Sequence, residues 1–344
     1  MNTYLNIDLP AAPFIYTRPS ASKINLLIIG LLLIQVAVLV ISADFYALLN
    51  IIFSLSGVLL VEHLFQYKTL GSLKFSTQAV ITGILIGFFM PVKIGFVFVF
   101  FLSGFSLFIT KILFGGSGTN WINPVAAAVC MAYISGPEIF PPILSGTNLI
   151  REYGGFFRVL ESNSLLKLKS DSSITSILNS VFLHGAGITL PEGYITMFLN
   201  STSSIPAFRY NIISLLSSII LFSTRAANYV LSAVFLLTYG VLIWIFSQVP
   251  VSGAYFAGDI LAAFLTGGVL FSAFFVMTES SSAPKTEYGK AICGFLIGIF
   301  AFFICGAGAS SVGVAFSIVL VNILTPLIEK MEVKIQQRKR KIYE

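Results

Sequence analysis

Two asparagines stand three residues apart in an apolar part of the chain, within KILFGGSGTNWINPVAAAVC at positions 111–130. If a helix starts there, Asn120 and Asn123 lie on one of its faces. Amides in lipid are costly unless they are paired, and a heteroaromatic ligand with carbonyl and imide edges would pair them. Close helix packing is common for membrane glycines, and we expect it for Gly104, Gly294 and Gly298, but it does not explain the two amides. The predicted ligand site consists of Gly115, Gly116, Asn120, Asn123 and Pro124.

The composition places this site in a membrane. Of 344 residues, 56% are hydrophobic and 10% charged, and the mean hydropathy is +0.93, which is outside the range of a soluble domain of this length. A spanning helix needs about 20 mostly apolar residues. We therefore predict an all-α polytopic membrane protein. The ten candidate spans are 24–42, 46–65, 76–91, 94–113, 123–135, 211–224, 227–246, 257–277, 289–305 and 312–328.

The charge distribution predicts the orientation. Ten spans put both termini on one side, and the tail KMEVKIQQRKRKIYE has six Lys or Arg, so that side is expected to be cytoplasmic. Beside a membrane span, a basic tail is expected to face lipid headgroups rather than nucleic acid. The predicted organisation is a cytoplasmic leader (1–23), a first five-helix repeat (24–135), an extracytoplasmic insertion (136–210), a second five-helix repeat (211–328) and a basic cytoplasmic tail (329–344).

The two predicted repeats share a plan. Each ends with a Gly-rich break before its fifth helix, GGSGTNWINPVAAAV in the first and GAGASSVGVAFSIVLVNILTPL in the second. Because five spans is an odd number, the two halves must be inserted with opposite polarity, as in inverted-repeat transporters. Non-helical backbone at membrane depth is tolerated only where it is buried in protein or lines a cavity. The break from Gly115 to Asn120 is therefore expected to form the wall of a polar site.

The cysteines do not predict a metal site. Cys130, Cys293 and Cys305 all lie in apolar stretches, and no two have zinc, iron–sulfur or CxxC spacing. We expect them to be small buried hydrophobic side chains.

The order of several sequence blocks is distinctive. They are LFGGSGTNWINPVAAAV, IPAFRYNIISLL with STRAANYVL, GDILAAFLTGGVLFSAFFVMTESSSAPKTEYGKAICGFLIGI and SIVLVNILTPLIEK. In these blocks the chain resembles the NqrB/RnfD family, the large flavin-carrying membrane subunits of the sodium-pumping quinone reductase and of the Rnf ferredoxin:NAD oxidoreductase. The resemblance runs from about Lys74 to Lys330, and the chain length is closer to that of the Rnf D subunit.

The resemblance implies two flavins. One is noncovalent, riboflavin or a second flavin, and Asn120 and Asn123 stand at the matching positions. The other is an FMN joined through its phosphate to a threonine in an S-G-A-T motif on the outer side, attached by a flavin transferase. Here that stretch reads KSDSSITSIL, in which Ser172 and Thr175 match but the glycine and alanine do not. Thr175 is thus the predicted FMN carrier, the alternative being an ordinary loop threonine.

Four further residues follow from the same comparison of blocks. Ser204 and Arg209, in STSSIPAFRYN before the sixth span, are candidate phosphate contacts, with a simple helix cap and a snorkelling arginine as the alternative. Glu279 and Glu329 stand where sodium-pumping members have acids implicated in ion entry, and carboxylates at a membrane are candidates by default. Both glutamates lie near predicted span ends, where a solvated carboxylate costs little.

The implied function is electron relay between the outer FMN and the membrane flavin, coupled to Na⁺ or H⁺ translocation, within a multisubunit translocase of the bacterial inner membrane. Partner subunits would be an extracytoplasmic FMN subunit and a cytoplasmic iron–sulfur subunit. The chemistry belongs to the cofactor, and the protein supplies its position and electrostatics. Two alternatives stay open, an inverted-repeat channel or transporter of the urea or ammonium type, and an assembly subunit whose flavin motif has decayed.

Overall fold

A computed structural model describes residues 20–70, 76–116, 120–141, 168–187, 189–201, 203–249, 258–278, 282–307 and 310–343. Most of these residues are helical, and no strand occurs among them. The α-helices are α1 (Ala21–Ile41), α2 (Phe45–Leu70), α3 (Thr77–Phe89), α4 (Phe96–Leu107), α5 (Pro124–Ser135), α6 (Asp171–Ile177), α7 (Tyr194–Leu199), α8 (Asn211–Ser223), α9 (Tyr229–Phe246), α10 (Ile260–Leu265), α11 (Val269–Phe271), α12 (Glu287–Ala301) and α13 (Gly313–Tyr343).

Four helical stretches continue as π-helical turns, at Phe108–Ile112, Leu178–Leu183, Ser272–Val276 and Phe302–Ala307. Short polar side chains begin several of the helices. Ser76 accepts from the backbone N–H of Ala79 at the start of α3, and Thr286 accepts from Gly289 at the start of α12. Such caps satisfy N–H groups that have no partner inside the helix.

Within the described ranges, five helical segments are long and apolar enough to cross a membrane, namely Ala21–Ile41, Phe45–Thr69, Tyr229–Phe246, Glu287–Gly306 and Gly313–Lys334. Shorter apolar helices lie at Thr77–Phe89, Phe96–Ile112, Pro124–Ser135 and Asn211–Ser223. The all-helical, multi-span prediction is confirmed at this level.

The eighth predicted span, 257–277, is not one continuous helix. It divides at residues 266–268, between α10 and α11. Gly267 and Gly268 adopt φ values of 61° and 62°, which favour glycine. A Cβ on Gly268 would collide with the ring of Phe208, so the break also makes room for an aromatic side chain.

Glycines allow close helix packing in the second half of the chain. A Cβ at Gly294 would lie 2.6 Å from the carbonyl oxygen of Leu231, and one at Gly298 would lie 2.8 Å from Cβ of Thr238. These contacts bring α12 against α9. The packing role that the sequence predicts for Gly294 and Gly298 is therefore confirmed.

The described part of the predicted insertion is attached to the helical core. Asn211 donates from its amide to the carbonyl oxygens of Met197 and Leu265, at 2.9 and 2.8 Å, and so joins α7, α8 and α10. Tyr194 donates to Asp259, the residue that caps α10. Burial and the neighbouring Asp259 carboxylate raise the pKa of Tyr194, so this hydroxyl keeps its proton.

Candidate functional site

The Gly-rich break follows the π-helical turn that continues α4. Leu113 to Gly116 leave the helix, and Gly115 and Gly116 have φ values of 105° and 94°. A Cβ on Gly116 would lie 2.9 Å from the ring of Phe65 on α2. Glycine is therefore required here for both backbone conformation and contact. Residues 117–119 lie outside the described part.

A buried ion pair lies directly before this break. Lys111 Nζ, in the π-helical turn, lies 2.9 and 3.0 Å from the two carboxylate oxygens of Glu62 on α2. Both side chains are 2% exposed, and Gln66 also donates to Glu62. The backbone oxygen of Lys111 accepts from the N–H of Gly116 at 3.0 Å. The pair therefore fixes the start of the break against α2.

Asn123 is the cap of α5 rather than part of its face. Its side-chain oxygen accepts from the N–H groups of Val125 and Ala126, at 2.9 and 3.1 Å. Its Nδ2 donates to the backbone oxygen of Val276, 2.9 Å away in the second half of the chain. The helix begins one residue later, at Pro124, so the expected shared helix face of the two asparagines is wrong.

Asn120 and Pro124 complete the described part of the predicted site. Asn120 is 4% exposed and precedes the helix. Pro124 occupies the first position of α5, where its missing N–H costs nothing, and its carbonyl oxygen accepts from Ser106 at 2.6 Å. The break and α5 are thus bound to α2, α4 and the second half of the chain.

A cavity of about 670 Å³ lies beside the first turn of α5, between the two halves of the chain. Its lining includes Val125 at the start of α5 and Phe275 and Met277 at the end of the π-helical turn after α11. The volume is within the range of small-molecule and cofactor sites. Its polar and charged lining residues are Asn25, Gln78, Thr82, Arg225, Asn228, Thr278 and Lys290.

These side chains fit a flavin ring without a covalent bond. Amides and hydroxyls are suited to the carbonyl and imide edges of the ring, and the apolar wall is suited to its face. Arg225, which adopts a φ of 53° in the turn before α9, and Lys290 add positive charge. Sequence reasoning missed Asn25 and Lys290 as site residues, because they come together only when α1 and α12 are packed in the same structure.

The predicted FMN carrier, Thr175, is buried. It lies on α6 and is 2% exposed, and its hydroxyl donates to Oδ1 of Asp171 at 3.0 Å. Asp171, 1% exposed, also accepts from the N–H groups of Gly193 and Thr196, at 3.0 and 2.8 Å, and from the Thr196 hydroxyl. We call these four residues the Asp171 cluster.

Hydrogen bonding keeps the Asp171 carboxylate ionised. Burial raises its pKa, but the hydrogen bonds from the Thr196 side chain, the Gly193 and Thr196 backbone and the Thr175 side chain outweigh burial and lower the pKa of Asp171 from its ordinary 3.8. A phosphate on Thr175 would remove one donor and place a second negative charge beside this carboxylate. This arrangement does not fit a phosphate ester at Thr175.

The other predicted phosphate contacts are separate from Thr175 or already paired. Ser172 is exposed on α6. Ser204 is half-buried, and its backbone oxygen accepts from Val92 at 3.1 Å. Arg209 pairs with Asp44, at the start of α2, and donates from Nε to the backbone oxygen of Ser203. The charge of Arg209 is therefore compensated by Asp44.

Of the two predicted ion-pathway acids, the structure describes only Glu329, which does not line the cavity. Glu329 is exposed on α13, and Glu279 lies outside the described residues.

The sequence analysis found no partner for Glu62. Glu62 is nevertheless the one acidic residue of α2, and Lys111 is the one basic residue of the fourth predicted span. The available signal was a pair of opposite charges near the same end of the second and fourth predicted spans, which run in the same direction. The three cysteines are buried and free, and no metal-binding group occurs among the described residues.

The chain is similar in sequence to known proteins along most of its length. The model of the NQR2, RnfD, RnfE family matches residues 9–338. Proteins named as the D subunit of an ion-translocating oxidoreductase complex are similar along most of their length. The protein of Buchnera aphidicola is 26% identical, and the alignment covers 83% of this chain and 84% of the relative. The protein of Actinobacillus succinogenes is 24% identical, with 94% of this chain and 95% of the relative covered. The protein of Yersinia enterocolitica is 26% identical, with 94% and 96% covered in the same order. The chain is a multi-pass membrane protein that belongs to the NQR2, RnfD, RnfE family.

Proposed function

We propose that this chain is the D-type membrane subunit of an ion-translocating electron transport complex of the Rnf type, and that it holds a noncovalent flavin such as riboflavin between its two halves. The cavity beside α5 carries the proposal, because its volume and its mixed amide, cationic and apolar lining suit an isoalloxazine ring. The names of the relatives support membership of a complex.

The flavin would supply electron transfer, and the chain would supply position and charge. Asn123 holds the first turn of α5, from which Val125 lines the cavity, against the second half of the chain. Arg225 and Lys290 would favour a ring that gains negative charge on reduction. The proposal also includes coupling of electron transfer to Na⁺ or H⁺ movement. It places the chain in a bacterial inner membrane as a ten-span inverted repeat with both termini cytoplasmic. Its proposed partners are an extracytoplasmic FMN subunit and a cytoplasmic iron–sulfur subunit. The covalent FMN at Thr175 stays a prediction from the resemblance alone.

The test is to fill the cavity. The full chain is purified in detergent as wild type and as Ala227→Trp, whose ring would occupy the cavity, and the acid-extracted flavin is measured per chain. Ile134→Trp is the matched control, since Ile134 is 71% exposed and lines a different, apolar groove. We expect about one flavin in the wild type and the control, and at least a tenfold loss in Ala227→Trp.

Two results would contradict the proposal. Equal flavin in wild type and Ala227→Trp would mean that the flavin binds elsewhere. A wild-type chain without noncovalent flavin that conducts a small neutral solute in liposomes would favour the channel or transporter alternative.

A further inference from the structure

A second, much smaller cavity adjoins the proposed flavin cavity. Its volume is about 20 Å³, enough for one water molecule or one oxygen atom of a larger ligand. The two cavities share the lining residues Leu231, Met277 and Ala283. The small cavity therefore lies directly beside the larger one.

Asn322 on α13 lines the small cavity. It is 6% exposed, and within the described part of the chain its Nδ2 has no hydrogen-bond partner. Buried amide groups are almost always hydrogen-bonded in native proteins. A buried donor of this kind that faces a cavity indicates a missing acceptor.

The neighbouring groups define the chemistry of that acceptor. The backbone oxygen of Val276 already accepts from Asn123, and the Thr325 hydroxyl donates to Val321. An amide nitrogen offers hydrogens and accepts none, so it repels a cation and selects an uncharged or negatively charged oxygen. From outside the chain, a ring carbonyl and a water molecule are the two sources of such an oxygen.

We propose that Asn322 is a ligand-binding residue, whose amide donates a hydrogen bond to a carbonyl oxygen at the edge of the bound flavin. The proposal rests on the proposed function and adds a contact from the last long helix, whose Asn322 lines the small cavity together with Asn123. α13 would then take part in holding the cofactor, and its position would respond to what occupies the cavity.

The test measures riboflavin affinity by quenching of riboflavin fluorescence, on the full chain freed of flavin. Asn322→Leu removes the donor at similar volume, and Asn322→Ser keeps a hydroxyl donor. Asn50→Leu is the control, because Asn50 is also fully buried with an unpartnered amide oxygen, but it donates to Pro91 and lines neither cavity. We expect Asn322→Leu to weaken binding about tenfold to a hundredfold, Asn322→Ser to recover part of the loss, and Asn50→Leu to change it less than threefold.

A spectroscopic measurement separates binding from general damage. In Asn322→Asp a carboxylate replaces the donor, and its charge beside the ring should make the bound flavin harder to reduce, which is measured as a lower reduction potential. A destabilising substitution without contact to the ring would leave the potential of the remaining bound flavin unchanged.

The outcomes distinguish the two proposals. If the wild type binds riboflavin and Asn322→Leu binds it equally well, the proposed contact is wrong while the flavin site stands. If that variant also melts at a higher temperature without flavin, the oxygen in the small cavity is a water that leucine displaces. If the wild type binds no riboflavin, both proposals are wrong.

Discussion

Lys111 Nζ and the Glu62 carboxylate form a bidentate ion pair, at 2.9 and 3.0 Å, with both side chains 2% exposed. Removing one partner leaves an uncompensated buried charge, which costs about 3–5 kcal/mol. We therefore expect Lys111→Met to lower the free energy of unfolding by that amount, measured by denaturant unfolding in detergent micelles.

The double variant Glu62→Gln with Lys111→Met is the control for this experiment. It removes both charges, so it should recover most of the lost stability. A double variant as unstable as Lys111→Met would show that the ammonium group has a role other than charge compensation.

Asn123 has two separable functions, as the cap of α5 and as a donor to Val276. Asn123→Asp keeps the acceptor at the helix N-terminus but cannot donate, whereas Asn123→Ala removes both. We expect Asn123→Ala to cost about 1–2 kcal/mol through the cap alone and to lose noncovalent flavin. Asn123→Asp should retain the cap and still release flavin, because the link between the halves is lost. Unfolding and flavin content measured on the same samples distinguish the two effects.

The Asp171 cluster should depend on pH in a defined direction. The folded pKa of Asp171 lies below the ordinary 3.8, so its contribution is complete above that value and is lost as the pH falls through the folded pKa. Amide hydrogen exchange at Gly193 and Thr196, corrected for the intrinsic rate, should therefore accelerate below about pH 4. Asp171→Asn should exchange fast even at pH 6, and protection unchanged down to pH 2 would contradict the assignment.

Esterification of Thr175 should compete with its hydrogen bond to Asp171. We expect little covalent flavin fluorescence from the denatured wild-type chain after co-expression with a flavin transferase. Asp171→Asn, which loosens the cluster, should increase it several-fold. Strong fluorescence in the wild type that disappears in Thr175→Val would show that the cluster opens during maturation, and would support the role that the resemblance implies.

Sequence patterns predicted much of the helical architecture. A long apolar run in a membrane forms a helix because the helix satisfies the backbone N–H and C=O groups within the segment. Nearly every predicted span accordingly coincides with a helix. Close helix packing was also predicted for Gly294 and Gly298, and their contacts with α9 agree with it. The eighth span was predicted as continuous, since nothing in its composition shows that the ring of Phe208 requires space at Gly268.

The sequence by itself determined the class of protein, the apolar helices and the location of the break before α5, because these depend on local composition and on the backbone freedom of Gly115 and Gly116. Only the tertiary structure decided how the polar groups are used. Asn123 caps a helix, Arg209 is paired with Asp44, Thr175 is enclosed by Asp171, and Lys111 meets Glu62 across 49 positions. A side chain's hydrogen-bond capacity is local, but its partner depends on packing between elements far apart in the chain.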